Sequence, residues 1–93
     1  MKHVTVKLNL TNKTDIFTHN LAQELAQSLF KQSHAVKIDE GIYDIDGLNN
    51  CRFYVTTEEG QKIGHLAVRY DQQVEQITES FKSFLTDKEL EVV

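Results

Sequence analysis

The chain has 93 residues, the length of one small domain, and we expect a single compact domain over residues 1–93. Hydrophobic residues make up 40% and charged residues 26% of the chain, an ordinary globular composition that excludes a disordered protein. The formal net charge is −4, which argues against a dedicated electrostatic nucleic-acid binder, because such proteins are usually basic.

The cellular compartment is suggested by one cysteine and by the lack of long apolar runs. Cys51 is the only cysteine, so no disulfide can form within the chain, which fits a reducing compartment. The first ten residues, MKHVTVKLNL, alternate polar with apolar side chains and lack the continuous apolar region of a signal peptide. No apolar run is long enough to span a bilayer. We therefore expect a cytoplasmic protein without a membrane partner.

The first third of the chain predicts a strand and then a helix. Residues 3–10 alternate strictly between apolar and polar, which is typical of a half-buried strand. Thr14 or Asp15 is the expected N-cap of a helix that extends to about His34. The apolar stripe of this helix recurs every four residues and comprises Phe17, Leu21, Leu25 and Leu29.

Residues 35–45 predict the second strand. Their apolar positions do not keep one parity, and Gly41 sits where the parity changes, so we expect one strand with a bulge near Glu40–Gly41. Residues 46–50, Asp-Gly-Leu-Asn-Asn, then form a loop.

The second half of the chain predicts a hairpin and a second helix. Residues 51–57 and 62–70 alternate as strands, joined by a short loop, residues 58–60, in which Gly60 suits a left-handed backbone. Asp71 is the expected cap of the second helix. Residues 86–89, Thr-Asp-Lys-Glu, match a capping box and predict a separate short turn, after which the tail could add a strand or contact a partner.

Together these elements predict an α+β fold in the order β-α-β-β-β-α. A four-stranded, mainly antiparallel sheet with both helices on one face is the simplest two-layer sandwich that buries both helical stripes.

The acidic stretch DEGIYDIDGLNN, residues 39–50, raises the question of a metal site. An EF-hand loop needs oxygen ligands at positions 1, 3 and 5, glycine at 6 and glutamate at 12. With Gly47 as the glycine, Ile42 and Phe53 take the first and last positions, so the spacing is wrong. Two interpretations remain: a strand end with an Asp-Gly bend, or an acidic rim for a basic partner. The rim would comprise Asp39, Glu40, Asp44 and Asp46.

Catalytic, metal and cofactor motifs are missing from the sequence. The four histidines lie on different predicted elements or at opposite ends of one, and no Cys-x-x-Cys occurs. The glycines match no phosphate-binding loop. A Cys51 nucleophile paired with His65 is disfavoured because the predicted hairpin places Cys51 nearer Arg69 or Tyr70. We predict no catalytic residue, no metal and no cofactor.

Strand parity predicts a basic, partly aromatic sheet face. If Val6, Leu8, Phe53, Val55, Leu66 and Val68 face the helices, the opposite side, here called the open sheet face, carries the alternate residues. Such faces bind nucleic acid or acidic peptides, pack against a second copy, or remain solvated. The candidate binding residues on the open sheet face are Lys7, Arg52, Tyr54, His65 and Arg69, with Thr56 beside them.

Residues 15–85 share the predicted order α-β-β-β-α with double-stranded RNA-binding domains. That family places lysines at the start of its second helix, where they meet phosphates. Here the segment is DQQVEQITES, residues 71–80, which has three acids and no base and would repel phosphate. The resemblance is therefore one of element order alone, and it assigns no function.

The favoured hypothesis is a small regulatory interaction module without catalytic activity. It would bind a protein partner, or itself as a homodimer, through the open sheet face or the acidic rim. One alternative is a nucleic-acid-associated protein that uses the basic face, and another is a small enzyme or ligand-binding domain that uses His65 or Cys51.

Overall fold

The computed structural model describes the backbone of residues 2–70 and 73–93, and the side chains of residues 5–69 and 73–93. Within these ranges the chain forms two helices and one antiparallel sheet, whose five strands lie in the order β1-β5-β4-β3-β2. The elements are β1 (Lys2–Asn9), α1 (Asp15–Phe30), β2 (Val36–Asp39), β3 (Ile42–Asp44), β4 (Cys51–Glu58), β5 (Gln61–Tyr70) and α2 (Val74–Asp87). The predicted α+β class is confirmed, and the predicted count of four strands is wrong.

The fifth strand arises from a tight turn at Glu40–Gly41, where the sequence predicted only a bulge. Gly41 has φ +68°, a left-handed conformation that glycine adopts without a steric penalty, and the chain reverses there. Ile42 then pairs with Asp39, so residues 35–45 form the β2–β3 hairpin instead of one strand. A bulge does occur, but it lies between Lys37 and Asp39.

The ends of α1 follow from local hydrogen bonding. Thr14, one of the two predicted caps, is the N-cap, and its hydroxyl accepts a hydrogen bond from Phe17 N at 3.0 Å. The helix ends at Phe30, earlier than predicted, because Lys31 adopts a left-handed φ of 55°. The amides of Lys31 and Gln32 then donate back to carbonyls of the last helical turns.

The two ends of the second helix compare differently with the prediction. Asp71, the expected cap, lies outside the described residues, and Gln73 is the N-cap without a side-chain hydrogen bond. A turn does follow at Lys88–Glu89, but the predicted capping box does not form, because Thr86 lies inside α2. Its hydroxyl donates to Lys82 O at 3.0 Å, a bond within the helix, instead of capping a new one.

The tail contacts the sheet. Val92 forms an isolated antiparallel bridge with Leu8 of β1. Asn9 N donates to Glu91 O at 3.0 Å, and Val93 N donates to Lys7 O at 2.9 Å. The tail therefore covers the end of the outer edge of β1, one of the two options that the sequence left open.

One apolar core lies between the helices and one face of the sheet. The predicted core-facing positions are confirmed: five are buried, and Val55 is half-buried and packs against the core. Burial of each large side chain contributes about 1.5–3 kcal/mol to folding. Neither helix in the described ranges is long and apolar enough to cross a membrane. The helical and strand residues of the core include Leu8, Leu21, Leu25, Phe53, Leu66, Phe81 and Leu85.

Candidate binding groove on the open sheet face

The β4–β5 hairpin fixes which side chains meet on the open sheet face. Its two turn residues, Glu59 and Gly60, both have positive φ, at 51° and 78°, which matches the right-handed twist of the strands. The register then runs from Glu58 opposite Gln61 down the hairpin to Cys51 opposite Val68. Cys51 therefore pairs with Val68, one residue before Arg69, near which the sequence had placed it.

A concave groove of about 670 Å³ lies on this face. Ala67 is the register partner of Arg52, and its small side chain leaves room between the longer residues around it. Tyr54 and its register partner Ile42 provide apolar surface. We call this site the arginine groove; its lining residues are Ile42, Asn49, Asn50, Arg52, Tyr54, Ala67 and Arg69.

The two arginines of the groove are exposed diagonal neighbours on adjacent strands. Arg52 Nε donates to Asn49 Oδ1 at 3.3 Å, which orients the guanidinium beside the loop. Among the residues whose side chains are described, every ion pair is made by a lysine, and neither Arg52 nor Arg69 takes part in one. The groove therefore presents two positive charges that have no carboxylate partner among the described side chains.

The loop at the rim of the groove is held by two carboxylates. Asp46 is buried, and its Oδ1 accepts hydrogen bonds from Leu48 N at 3.0 Å and Asn50 N at 3.3 Å. Asp44 Oδ1 accepts one from Asn49 N at 3.3 Å. Burial raises the pKa of Asp44, and the hydrogen bond and charge of Asp46 raise it further. Both acids position the loop that carries Asn49 and Asn50.

The four acids of the rim proposed from the sequence differ in their contacts. Asp39 and Glu40 lie exposed at the β2–β3 turn, where Lys37 Nζ lies 3.2 Å from a carboxylate oxygen of Glu40. Asp44 and Asp46 instead bond to their own loop. Asp39 pairs with Ile42, two residues before Asp44, so the hairpin keeps the two pairs close. The local-bend interpretation describes the second pair better, because its carboxylates bond to their own loop.

A second cluster lies farther along the same face and contains the predicted site residues Lys7 and His65. His65 is only 4% exposed, although its position predicted a surface residue. The ring stacks on Tyr54, with centroids 4.6 Å apart, and its Nε2 lies 2.8 Å from Thr56 Oγ1. Lys7, the register partner of His65, lies 3.6 Å from Glu58. We call Lys7, Thr56, Glu58 and His65 the histidine cluster.

Burial has a chemical consequence for His65. It lowers the pKa of the imidazole; Glu58 acts in the opposite direction and Lys7 in the same direction as burial. The Nδ1 atom is buried and has no hydrogen-bond partner in the described part of the chain. The neutral ring is therefore the form that this environment favours.

Cys51 and His65 lie on opposite sides of the sheet. Cys51 is part of the core on the helix side of the sheet. Burial raises its thiol pKa strongly, and the negative charges of Asp46 and Asp44 raise it further. His65 occupies the open sheet face beside Tyr54. A nucleophile–base pair between them is therefore geometrically excluded. In the part of the chain that the structure describes, no group of three histidine, cysteine or acidic side chains is placed to hold a metal.

The structure brings three predicted site residues together, Arg52, Tyr54 and Arg69, and places Lys7 and His65 in the neighbouring cluster. Sequence reasoning missed Ile42, Asn49, Asn50 and Ala67 as lining residues. The signal for the two asparagines was the turn chemistry of residues 46–50, which places the loop at the same end of the sheet as Arg52. No protein-family model, curated protein or solved structure matches this chain.

Proposed function

We propose that this protein is a non-catalytic interaction module that binds a protein partner through the arginine groove. The observation that carries the proposal is the pair of exposed arginines, Arg52 and Arg69, which line a concavity and form no ion pair with any carboxylate whose side chain the structure describes. Arginine is favoured at protein interfaces, since its planar fork binds carboxylates with two hydrogen bonds.

The surroundings of the arginines support binding over catalysis. Apolar and aromatic surface from Ile42, Tyr54 and Ala67 lies beside the charged groups, as in the mixed composition of protein interfaces. The enzyme alternative loses its strongest candidate, because Cys51 is buried on the far side of the sheet from His65.

A nucleic-acid partner fits this site less well. Stacking of bases requires a free aromatic face, and one face of the Tyr54 ring is covered by His65 at an interplanar angle of 4°. On the neighbouring strand β3, Ile42 is the register partner of Tyr54. The net charge of −4 would also repel a phosphate backbone.

A second copy of the chain is the other protein partner to test. β2 is a sheet edge, and its Val36 and Ile38 are 51% and 45% exposed. Exposed edges with apolar side chains favour strand-to-strand pairing between molecules. Light scattering over a concentration series tests the homodimer, and a strict monomer at high concentration contradicts it.

The experiment for the proposed function is a nuclease-controlled capture from lysate of the source cells. Tagged wild-type protein is compared with Ala67→Phe, which fills the floor of the arginine groove. Asn20→Phe is the matched control, because it places the same ring on an exposed position of α1. Bound species are identified by mass spectrometry.

The proposal expects one protein retained in near-stoichiometric amount by the wild type and by Asn20→Phe, and lost with Ala67→Phe. Retention that is equal in all three samples places binding outside the groove and contradicts the proposal. Loss of all retained material after nuclease treatment favours the nucleic-acid alternative.

A further inference from the structure

The arginine groove also suggests what its occupant looks like. We infer that the groove binds an extended acidic segment of the partner protein, with carboxylates at alternate positions and an apolar side chain beside them. This inference rests on the proposed function and adds the chemistry of the bound segment. It follows from the charge, the spacing and the apolar surface of the groove.

Charge is the first step. Two guanidiniums that lie side by side repel each other, and carboxylates bound between them relieve that repulsion. Arg52 uses its Nε for Asn49, so its terminal nitrogens remain as donors, while Arg69 has no side-chain partner among the described residues. Each guanidinium can therefore accommodate one carboxylate.

Spacing is the second step. Arg52 pairs with Ala67, and Arg69 lies two residues farther along β5, so the two arginines are diagonal neighbours. Such neighbours have Cα atoms roughly 7–8 Å apart. In an extended peptide, side chains at positions i and i+2 point the same way and lie roughly 6.6 Å apart, at about 3.3 Å per residue. Alternate acids therefore match the arginine pair, whereas adjacent acids point in opposite directions.

The apolar half of the groove is the third step. Ile42, Tyr54 and Ala67 line it without contributing a charge. An aliphatic residue on the same side of the bound segment would cover this surface. Phosphates would leave this surface exposed, and His65 already covers one face of the Tyr54 ring on which a base would stack, so a peptide fits the groove better than an oligonucleotide.

One acid of the protein opposes this binding. Asp44 is the register partner of Arg52 on the open sheet face and carries a negative charge near the groove. Its carboxylate is directed to Asn49 N and to Asp46 instead of forming an ion pair with Arg52. Asp44 therefore reduces the positive potential of the groove without filling the arginines' hydrogen-bonding sites.

The test uses fluorescein-labelled octapeptides and fluorescence anisotropy with the intact protein. One peptide carries glutamates at alternate positions followed by leucine, an isomer of the same composition carries them adjacent, and a third replaces them with glutamine. We expect the alternating peptide to bind at least about fivefold tighter than its isomer, and the glutamine peptide not to bind. A labelled single-stranded oligonucleotide is measured alongside.

Variants assign the binding to the groove. Arg52→Gln and Arg69→Gln should each weaken the alternating peptide about tenfold, and Arg69→Lys should weaken it less, because charge remains while the fork is lost. Lys82→Gln removes one positive charge from an exposed position of α2 and should change affinity less than about twofold. Thermal melting of each variant verifies that it is folded.

Four results would overturn the inference. Equal affinity for the two isomers would contradict an extended segment with alternating acids. Affinity that is unchanged in both arginine variants would show that the peptide binds outside the groove. Tighter binding of the oligonucleotide through the same arginines replaces the acidic segment with nucleic acid. If groove-dependent capture of a protein succeeds while no acidic peptide binds, the inference fails and the proposed function remains.

Discussion

Lys7 in the histidine cluster lies in an ion pair with Glu58, whereas Arg52 and Arg69 in the arginine groove take part in no ion pair among the described side chains. Both regions occupy alternate positions of neighbouring strands on the open sheet face. In the first region the polar groups contact one another, and His65 is buried. In the second they line an open concavity. A cation that pairs with a carboxylate of its own chain stabilises the fold, whereas a cation that has no such pair in the described part of the chain is a candidate for binding a partner.

The largest expected effect is on stability, and it distinguishes the two regions directly. His65→Ala removes a buried ring, its stacking on Tyr54 and its hydrogen bond with Thr56, and should lower the free energy of unfolding by about 2 kcal/mol. Arg52→Ala, at an exposed site, should change it by less than about 0.5 kcal/mol. Urea denaturation measures both values. Equal losses would mean that the groove is as structural as the histidine cluster.

The next effect is the pH dependence of stability that His65 confers. Because its pKa is lowered from the ordinary 6.5, the unfolded chain takes up the proton first on acidification. The full contribution of His65 is therefore present above pH 6.5 and is lost as pH falls through 6.5 toward the folded-state value. Melting temperatures of wild type and His65→Gln between about pH 7.5 and 5.5 measure the difference.

His65→Gln is the matched variant because glutamine stays neutral throughout this window. The stability of the wild type should fall more steeply than that of the variant as the pH is lowered. The raised pKa of Asp44 acts with the opposite sign, since its folded form takes up a proton first, and it matters at lower pH. Parallel curves for the two proteins would contradict the assignment to His65.

A smaller effect sharpens the charge argument for the groove. Asp44→Asn removes the negative charge opposite Arg52 but keeps an oxygen that can accept from Asn49 N. Affinity for the alternating acidic peptide should rise about two- to threefold, because a like charge is removed. Anisotropy titrations at two salt concentrations measure the change. An unchanged affinity at low salt would show that the carboxylate of Asp44 does not influence the groove.

The smallest effect is expected at the paired cation. Lys7→Gln breaks the ion pair with Glu58, whose two side chains are 44% and 46% exposed. Exposed pairs contribute about 0.2–1 kcal/mol, so stability should fall by no more than about 0.5 kcal/mol. Peptide affinity should remain within about twofold, since Lys7 does not line the groove. A tenfold loss of affinity would extend the binding surface across the whole open sheet face.

Strand parity explains why much of the fold and part of the site could be predicted. Successive side chains of a strand point to opposite faces, so alternation alone separated Phe53 from Arg52 and Tyr54. The β2–β3 turn could not be read in the same way. A glycine between apolar residues fits a bulge or a reversal, and only the pairing of β2 with β3 distinguishes them.

The burial of His65 and the lining of the groove depend on contacts between strands. A two-residue turn at Glu59–Gly60 sets the register that places His65 against Tyr54, so the length of the loop was the decisive unknown. The groove also requires the loop that Asp44 and Asp46 hold in place. Those hydrogen bonds depend on how the loop folds, and the alternation of side chains along one strand does not predict that.

The position of β1 beside β5 has a consequence for the order of assembly. The β4–β5 hairpin closes through two residues, whereas β1, which ends at Asn9, must pair with a strand that begins at Gln61, as in the pairing of Val6 with Leu66. Closing longer loops costs more conformational entropy, about 0.6 kcal/mol for each doubling of length. We therefore expect the hairpin that carries Arg52 and Arg69 to form early and β1 to join late. The candidate site would then be built on the first part of the sheet to assemble.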